Sequence, residues 1–163
     1  MIRAVLILVL ALTVAGCSSK FKTYNGPEVT RVYVFKQDRR MYLMHHDQVL
    51  KAYDIDLGNA PVGAKQFRGD GKTPEGVYHI DRRNPNSRYH LSVGISYPNL
   101  NDLAFAESQG KNAGGDIFIH GESQERGIGG GPDWTAGCIA VSDDEIEEIY
   151  SMLREGTVIA IFP

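Results

Sequence analysis

Two residues near the end of the chain have the types and surroundings that nucleophilic catalysis needs. His120 follows the apolar residues 117–119, and Cys138 follows the turn-forming Gly137. A cysteine nucleophile requires a base, a group that orients this base, and backbone donors for the oxyanion formed on an attacked carbonyl. The imidazole of His120 supplies the base, and the carbonyl of Gly121 can accept from it and fix its tautomer. The pattern predicts acyl chemistry at Cys138.

The residues just before Cys138 supply further parts of the predicted site. Gly137 allows a sharp turn, so the N–H groups of Gly137 and Cys138 are candidate oxyanion donors. Thr135 either forms a hydrogen bond in the cleft or stabilises the turn, and Trp134 is either a cleft wall or a core residue. A thiolate paired with an imidazolium has a lowered pKa, so we expect Cys138 to be reactive near neutral pH.

The second of the two cysteines, Cys17, belongs to a different motif. A short positive start containing Arg3 precedes an apolar run over residues 4–15, and the run ends in the small residues just before Cys17. This order resembles the lipobox of bacterial lipoprotein precursors. It predicts a signal peptide at residues 1–16, lipidation of Cys17, and a lipid-anchored protein on the periplasmic or extracytoplasmic face of the cell envelope. An ordinary signal peptide or a short membrane anchor is the alternative.

Hydrophobic alternation predicts a mainly β domain with one or two helices. Residues 17–28 are polar and are predicted to be a flexible tether, which leaves residues 29–163 as the domain. Helices are predicted after Asn99, ending near Gln109, and after Ser142, where Glu145 completes a capping box. The strands are predicted at 29–35, 41–44, 49–57, 76–80, 90–97, 117–120 and 157–162.

Composition and charge exclude some classes of function. The 163 residues suit one domain plus a small appendage, and the net charge of −3 comes without a basic cluster, so nucleic acid is not an expected partner. A metal site is not predicted. Neighbouring strand residues point to opposite faces, so adjacent histidines are poor joint ligands. The histidines that could act as metal ligands together with Cys138 are His45, His46, His79 and His90.

The sequence HG at 120–121 followed by TxGCI at 135–139 resembles the active-site signature of the L,D-transpeptidases, the YkuD-type catalytic domain. The segment at 69–78 is similar to that family's glycine-proline turn and following strand. The resemblance covers roughly residues 30–162 and implies a YkuD-like β-sandwich. It implies no cofactor and a role in peptidoglycan biosynthesis, cell-wall biogenesis and cell shape.

The resemblance also implies a substrate and a mechanism. Cys138 would attack the peptidoglycan stem peptide at the carbonyl that links a meso-diaminopimelate-type residue to the terminal D-alanine. His120 would be general base and acid, and Gly121 would supply the orienting carbonyl. An acyl-enzyme forms, D-alanine leaves, and an amine of a second stem peptide or of an envelope protein takes the acyl group. If water takes it instead, the enzyme is an L,D-carboxypeptidase or endopeptidase.

Two positions depart from the family's pattern. Ala136 stands where the family usually has histidine, and Ala140 where it often has arginine or asparagine. Both departures concern groups that shape the cleft or contact substrate, so acyl transfer, hydrolysis by the same thiol, and a non-catalytic peptidoglycan-binding lipoprotein all stay open. A papain-like hydrolase is disfavoured, because there the cysteine precedes the histidine in the chain.

Overall fold

The computed structural model describes residues 19–122 and 131–163. The predicted signal peptide and Cys17 therefore lie outside the described residues. Within the described ranges no helix is long and apolar enough to cross a membrane. The elements in these ranges are β1 (Arg31–Phe35), β2 (Arg40–His45), β3 (Gln48–Asp54), β4 (Gly76–Asn84), β5 (Ser92–Ile95), α1 (Leu100–Ser108), β6 (Ile117–His120), β7 (Ile139–Ala140), α2 (Asp143–Met152) and β8 (Val158–Phe162).

The strands form one sheet in the order β3-β2-β1-β8-β4-β5-β6-β7. The long strand β4 belongs to both halves, because Gly76–His79 pairs with β8 while the stretch from Ile80 to Asn84 pairs with β5. The register shifts between Ile80 and Arg82. Such a bulge bends a strand and increases its twist. The sheet is thereby a half-barrel, which agrees with the predicted fold class.

The chain that follows β3 joins the two ends of this sheet. Asp56 and Ala140 of β7 exchange two backbone hydrogen bonds of 2.9 Å, and Thr135 N–H donates to the carbonyl of Leu57 at 3.1 Å. β7 and the turn before it are therefore held from one side by β6 and from the other by residues after β3. Cys138 lies between these two points of attachment, so its backbone is fixed by both halves of the fold.

The core lies inside the curved sheet and under α2. The alternation along β1 and β2 places Val32, Val34, Met41 and Leu43 inside, all fully buried. The capping box of Ser142 and Glu145 starts α2, whose apolar face packs against β5 and β6. Ile117 and Ile119 of β6 are thus buried, Phe118 faces the cleft, and the histidine at the end of the strand is held by its pairing with β5 and β7. The buried residues of α2 are Ile146, Ile149, Tyr150 and Met152.

Several predicted boundaries differ from the observed ones. β4 extends to Asn84, beyond its predicted end at residue 80. Its charged residues 81–83 fit a strand because the outward positions there are exposed to solvent. The predicted strand 49–57 ends at Asp54, after which the chain leaves β2 and bridges to β7. β7 was not predicted, because a strand of two residues has no periodicity to detect.

The described part of the predicted tether, residues 19–28, contacts the domain. The ammonium of Lys20 donates to the carbonyls of Pro85 and His90, and the ammonium of Lys22 lies 3.3 Å from the carboxylate of Glu147. The polar composition that predicted a flexible segment supplies the donors for these contacts. Residues 19–22 therefore lie along the loop before β5 and along α2.

Candidate active site

His120 ends β6 with its side chain almost fully buried, at 3% exposure. Its Nδ1 lies 2.7 Å from the carbonyl oxygen of Gly121. Because a carbonyl oxygen can only accept, Nδ1 carries the hydrogen, and Nε2 of the neutral ring is left as a proton acceptor. Residue 121 has to be glycine, since a Cβ there would lie 2.5 Å from a carboxylate oxygen of Asp143 and 2.9 Å from a methyl of Ile146.

Two aromatic rings pack on the imidazole of His120. The Tyr89 ring stacks on it with centroids 4.3 Å apart, and the Trp134 ring meets it edge-on at 5.5 Å. Burial between these rings lowers the pKa of His120, although the hydrogen bond to Gly121 works in the opposite direction. The ring is therefore neutral at neutral pH. Trp134 lies against the imidazole but is not among the residues that line the cleft, so its role as a cleft wall stays a prediction.

Cys138 shares a cleft of about 460 Å³ with His120. Its thiol donates to the backbone carbonyl of Asp116, at an Sγ–O distance of 3.5 Å. The cleft is lined by Asn84, Asn86, Ser87, Arg88, Tyr89, Ser92, Asp116, Phe118, His120 and Cys138. The structure thus brings the two predicted reacting residues to one opening, together with a polar loop, residues 84–89, that sequence reasoning did not assign to the site.

The protonation state of Cys138 differs from the expected thiolate. Burial raises the pKa of the thiol, and the carboxylate of Asp116 adds to this effect, while the backbone hydrogen bond from Phe118 and the charge of Lys65 oppose it. Since burial also lowers the pKa of His120, both shifts favour a neutral thiol and a neutral imidazole over the expected thiolate–imidazolium pair.

Gly137 lets the chain pass close to another backbone segment just before Cys138. Its φ is +133°, and a Cβ at this position would lie 2.6 Å from the carbonyl oxygen of Lys72. Gly58 shows the same closeness, since its Cβ would lie 2.1 Å from the carbonyl oxygen of Gly71. The segment at 69–78, which resembles the family's glycine-proline turn, therefore packs against the backbone just before Cys138.

The side chain of Thr135 stabilises the turn that ends at Cys138. Its hydroxyl donates to the carbonyl of Cys138 at 2.8 Å and accepts from the N–H of Gly137 at 3.1 Å. Of the two interpretations left open for Thr135, the hydrogen bonds in the structure correspond to the one in which it stabilises the turn. The N–H of Gly137 is engaged by this hydroxyl, so the N–H of Cys138 is the better oxyanion candidate of the predicted pair.

The profile of the YkuD family, the L,D-transpeptidase catalytic domain, matches residues 29–161. This chain belongs to that family. YafK of Escherichia coli K12, provisionally named an L,D-transpeptidase, is 30% identical over 147 residues, which cover 86% of this chain and 54% of YafK.

Solved structures agree with this assignment. The helical cell shape determining protein Pgp2 of Campylobacter jejuni is 28% identical with a TM-score of 0.64, over 85% of this chain and 49% of Pgp2. Bd1075 of Bdellovibrio bacteriovorus is 26% identical with a TM-score of 0.56, over 83% of this chain and 48% of Bd1075. The chain spans about half the length of these relatives.

In this L,D-transpeptidase domain a partly buried ion pair holds the start of the turn that leads to Cys138. Nε and Nη2 of Arg39 donate to the carboxylate of Asp133 at 2.8 and 2.6 Å, and the same carboxylate accepts from the N–H of Leu57 at 3.0 Å. Partial burial raises the pKa of Asp133, but the hydrogen bonds from Arg39 outweigh it and leave the pKa below its ordinary value. Trp134 follows directly, so this pair sets where its ring meets His120.

The two departures from the family's pattern lie in different environments. Ala140 is buried in β7, where its backbone pairs with Asp56 and its methyl is 3% exposed. Ala136 is exposed on the turn before Gly137. Compared with the family's pattern, alanine therefore replaces a polar residue at a buried position in β7 and at an exposed position in the turn before Cys138.

The histidines weighed as metal ligands lie away from Cys138. The rings of His45 and His46 touch at 4.5 Å, because His46 lies beyond the end of β2 with a φ of +51°. His90 is paired with the carboxylate of Glu147 at 2.8 Å. Within residues 19–122 and 131–163, no group of three or more histidine, cysteine or acidic side chains is placed to hold a metal ion.

Replacing Gly137 by alanine is expected to destabilise the fold and displace the nucleophile. The Cβ would clash with the carbonyl of Lys72, and the φ of +133° is strained for any residue with a side chain. We expect Gly137→Ala to lower the free energy of unfolding by about 2 kcal/mol, measured by urea denaturation.

Gly115→Ala is the matched control. A Cβ at Gly115 would meet atoms no closer than 3.8 Å, and its φ is not in the left-handed region. Its free energy of unfolding should stay within about 0.5 kcal/mol of the parent. Equal stability of the two variants would show that the contact behind Cys138 is not a constraint.

The neutral state of the pair predicts how Cys138 reacts with iodoacetamide. In a Cys17→Ala chain, Cys138 is the remaining thiol. Because burial raises its pKa and the thiolate is the reacting form, the alkylation rate should rise with pH around a midpoint above that of an ordinary cysteine. The measurement is the alkylation rate from pH 5 to 10, followed by intact mass.

A thiolate–imidazolium pair would behave differently. It would give a plateau of fast alkylation below pH 7, which His120→Gln would remove. Such a plateau would overturn the assignment of a neutral pair.

Proposed function

We propose that this chain is a cysteine-dependent acyl-transfer enzyme that acts on peptidoglycan stem peptides through a Cys138 acyl-enzyme. The observation that carries the proposal is the tautomer of His120. Its Nδ1–H is bound to the Gly121 carbonyl at 2.7 Å, so Nε2 is the proton acceptor in the cleft that also contains the thiol. A neutral base and a neutral thiol that line one cleft are the groups that general-base activation needs.

The first half-reaction uses both residues. Nε2 of His120 takes the proton of the thiol as Sγ of Cys138 bonds to the carbonyl carbon between the diamino acid and the terminal D-alanine. Backbone donors at the turn, with the N–H of Cys138 foremost, stabilise the oxyanion. The imidazolium then returns the proton to the departing nitrogen as the C–N bond breaks. D-alanine leaves, and a thioester remains on Cys138.

The second half-reaction depends on what attacks the thioester. An amine of a second stem peptide, or of an envelope protein, gives its proton to Nε2 and forms a new amide, and Sγ recovers the proton when it leaves. Water in place of the amine gives a free tripeptide. The aromatic packing of Tyr89 and Trp134 on the imidazole keeps the base oriented through both halves.

The polar lining of the cleft supports a stem-peptide substrate. A meso-diaminopimelate-type residue carries one ammonium and one carboxylate on its side chain. The cleft offers both signs of charge, from Arg88 and Asp116, and amide groups from Asn84 and Asn86. The carboxylate of Asp116 is 86% exposed, accepts from Arg82 at 3.1 Å, and lies beside the backbone atom that accepts the thiol hydrogen bond. A charged peptide therefore has matching groups near the reacting sulfur.

Incubation with disaccharide tetrapeptide tests this function. Cys138→Ala should lower turnover by roughly 10⁴-fold or more, because the residue that forms the acyl-enzyme is gone. Cys17→Ala makes the same substitution in the N-terminal segment and should leave turnover unchanged. Products are followed by mass spectrometry.

The products separate the alternatives. A cross-linked dimer with loss of D-alanine supports transfer, and a tripeptide alone supports hydrolysis. Unchanged turnover in Cys138→Ala would refute the mechanism. No turnover in the parent chain, with retained binding to isolated sacculi, would favour a non-catalytic peptidoglycan-binding lipoprotein, in which Ala136 and Ala140 mark the lost activity.

We further propose that the protein is a lipoprotein anchored by Cys17 at the extracytoplasmic face of a membrane. The support is the order of positive start, apolar run, small residues and cysteine in residues 1–17. Cys17→Ala should release the protein into the soluble fraction, measured by membrane fractionation and intact mass. Ser18→Ala is the matched control and should remain in the membrane fraction. Full membrane retention of Cys17→Ala would refute lipid anchoring at this residue.

A further inference from the structure

Lys20 connects the segment after the predicted anchor to the wall of the cleft. Its ammonium donates to the carbonyl of Pro85 at 2.8 Å and to the carbonyl of His90 at 3.1 Å. These two acceptors stand at the two ends of the loop at 85–90, which contributes four residues to the cleft lining. One charged group therefore holds the ends of this loop together, and hydrogen bonds from a charged donor are stronger than neutral ones.

The same loop contacts the catalytic base. The ring of Tyr89 stacks on the imidazole of His120 at 4.3 Å, and its carbonyl accepts from the N–H of Gly121 at 3.1 Å. Gly121 in turn accepts from Nδ1 of His120. The loop therefore contacts both one face of the imidazole and Gly121, the residue that fixes its tautomer. Lys20 contacts the loop and does not contact the imidazole directly.

A second lysine holds the segment to α2. The ammonium of Lys22 lies 3.3 Å from one carboxylate oxygen of Glu147 and donates to the backbone carbonyl of Asp144 at 3.0 Å. The other carboxylate oxygen of Glu147 pairs with Nε2 of His90 at 2.8 Å. Partial burial raises the pKa of Glu147, but His90 and Lys22 outweigh this and lower it. The second attachment thus returns to the same end of the loop.

Phe21, between the two lysines, completes the attachment. Its ring lies 6.3 Å from that of Tyr150 on α2, while about half of its surface stays exposed. Of these three consecutive residues, Lys20 contacts the loop, and Phe21 and Lys22 contact α2. Contacts with two different elements fix the path of the backbone between them.

We propose that residues 19–22 form a strap that positions the cleft wall, with Lys20 as a positioning residue for His120. The strap holds the 85–90 loop, the loop holds Tyr89 on the imidazole, and the packed ring keeps water from His120. The segment that links the domain to the predicted lipid anchor is thereby part of the support of the site. The expected effect on turnover rests on the proposed function, whereas the expected effects on the loop and the imidazole do not.

Hydrogen exchange and imidazole titration test the strap in the full-length chain. Lys20→Met keeps the length of the side chain and removes its donors. We expect exchange of the backbone amides at 86–91 to rise about tenfold, as the loss of hydrogen bonds to a charged group permits. The pKa of His120, followed by NMR and assigned with His120→Gln, should move up towards the ordinary imidazole value, because burial is what lowers it.

Two further variants make the result specific. Lys20→Arg keeps a donor at this place and should restore most of the parent behaviour. Lys51→Met removes a lysine that pairs with Glu148 on the same helix, and it should change neither the loop nor the imidazole. If turnover is measurable, Lys20→Met should lower kcat more than it raises KM, with the acidic limb of kcat/KM shifted to higher pH.

The outcomes are distinct from those for the proposed function. Unchanged exchange at 86–91 together with an unchanged His120 titration in Lys20→Met would overturn the strap, as would equal changes in Lys51→Met. A chain without any peptidoglycan turnover would refute the proposed enzyme but would leave the exchange and titration results to decide the strap.

Discussion

The site depends on a contact between backbones behind Cys138 that has no room for side chains. Gly58 approaches the carbonyl of Gly71, and Gly137 approaches the carbonyl of Lys72. Because these segments touch, the chain after β3 can reach β7 and join the two ends of the sheet. The turn that carries the nucleophile is consequently tied to strands on both sides. The position of this turn is set by the contacts that join the two ends of the sheet. The local TxGC sequence only leaves room for these contacts.

The packing that orients His120 also determines how it works. Tyr89, Trp134 and the Gly121 carbonyl hold the ring in one position and one tautomer, and the same enclosure lowers its pKa. A buried ring that stays neutral cannot preform an ion pair with the thiol. In the proposed mechanism it accepts the thiol's proton as the sulfur attacks, when negative charge is developing on the substrate oxygen. The same packing therefore orients the imidazole and, in the proposed mechanism, makes proton transfer coincide with attack by the sulfur.

The sequence predicted the parts of the site that are local and missed those that are distant. His120 at the end of an apolar strand and Cys138 after a glycine carry their signal within a few residues. Tyr89 lies in a polar loop without periodicity, so nothing nearby indicates that its ring covers the imidazole. Arg39 bonds to Asp133 across 94 residues, and only the closed sheet brings them together. The pKa shifts that oppose the expected ion pair were missed for the same reason, because burial is a property of the assembled fold.

The strap changes what a lipid anchor at Cys17 would mean for this domain. A free tether over residues 17–28 would let the domain reach about 40 Å when fully extended. Lys20 is bound to the cleft wall at both ends of its loop, which leaves three residues from Cys17, or about 10 Å of extended chain. Under the proposed lipidation, the cleft is held next to the membrane surface. Its substrates are then stem peptides and acceptor amines near that surface, since material deeper in the wall lies beyond the reach of so short a link.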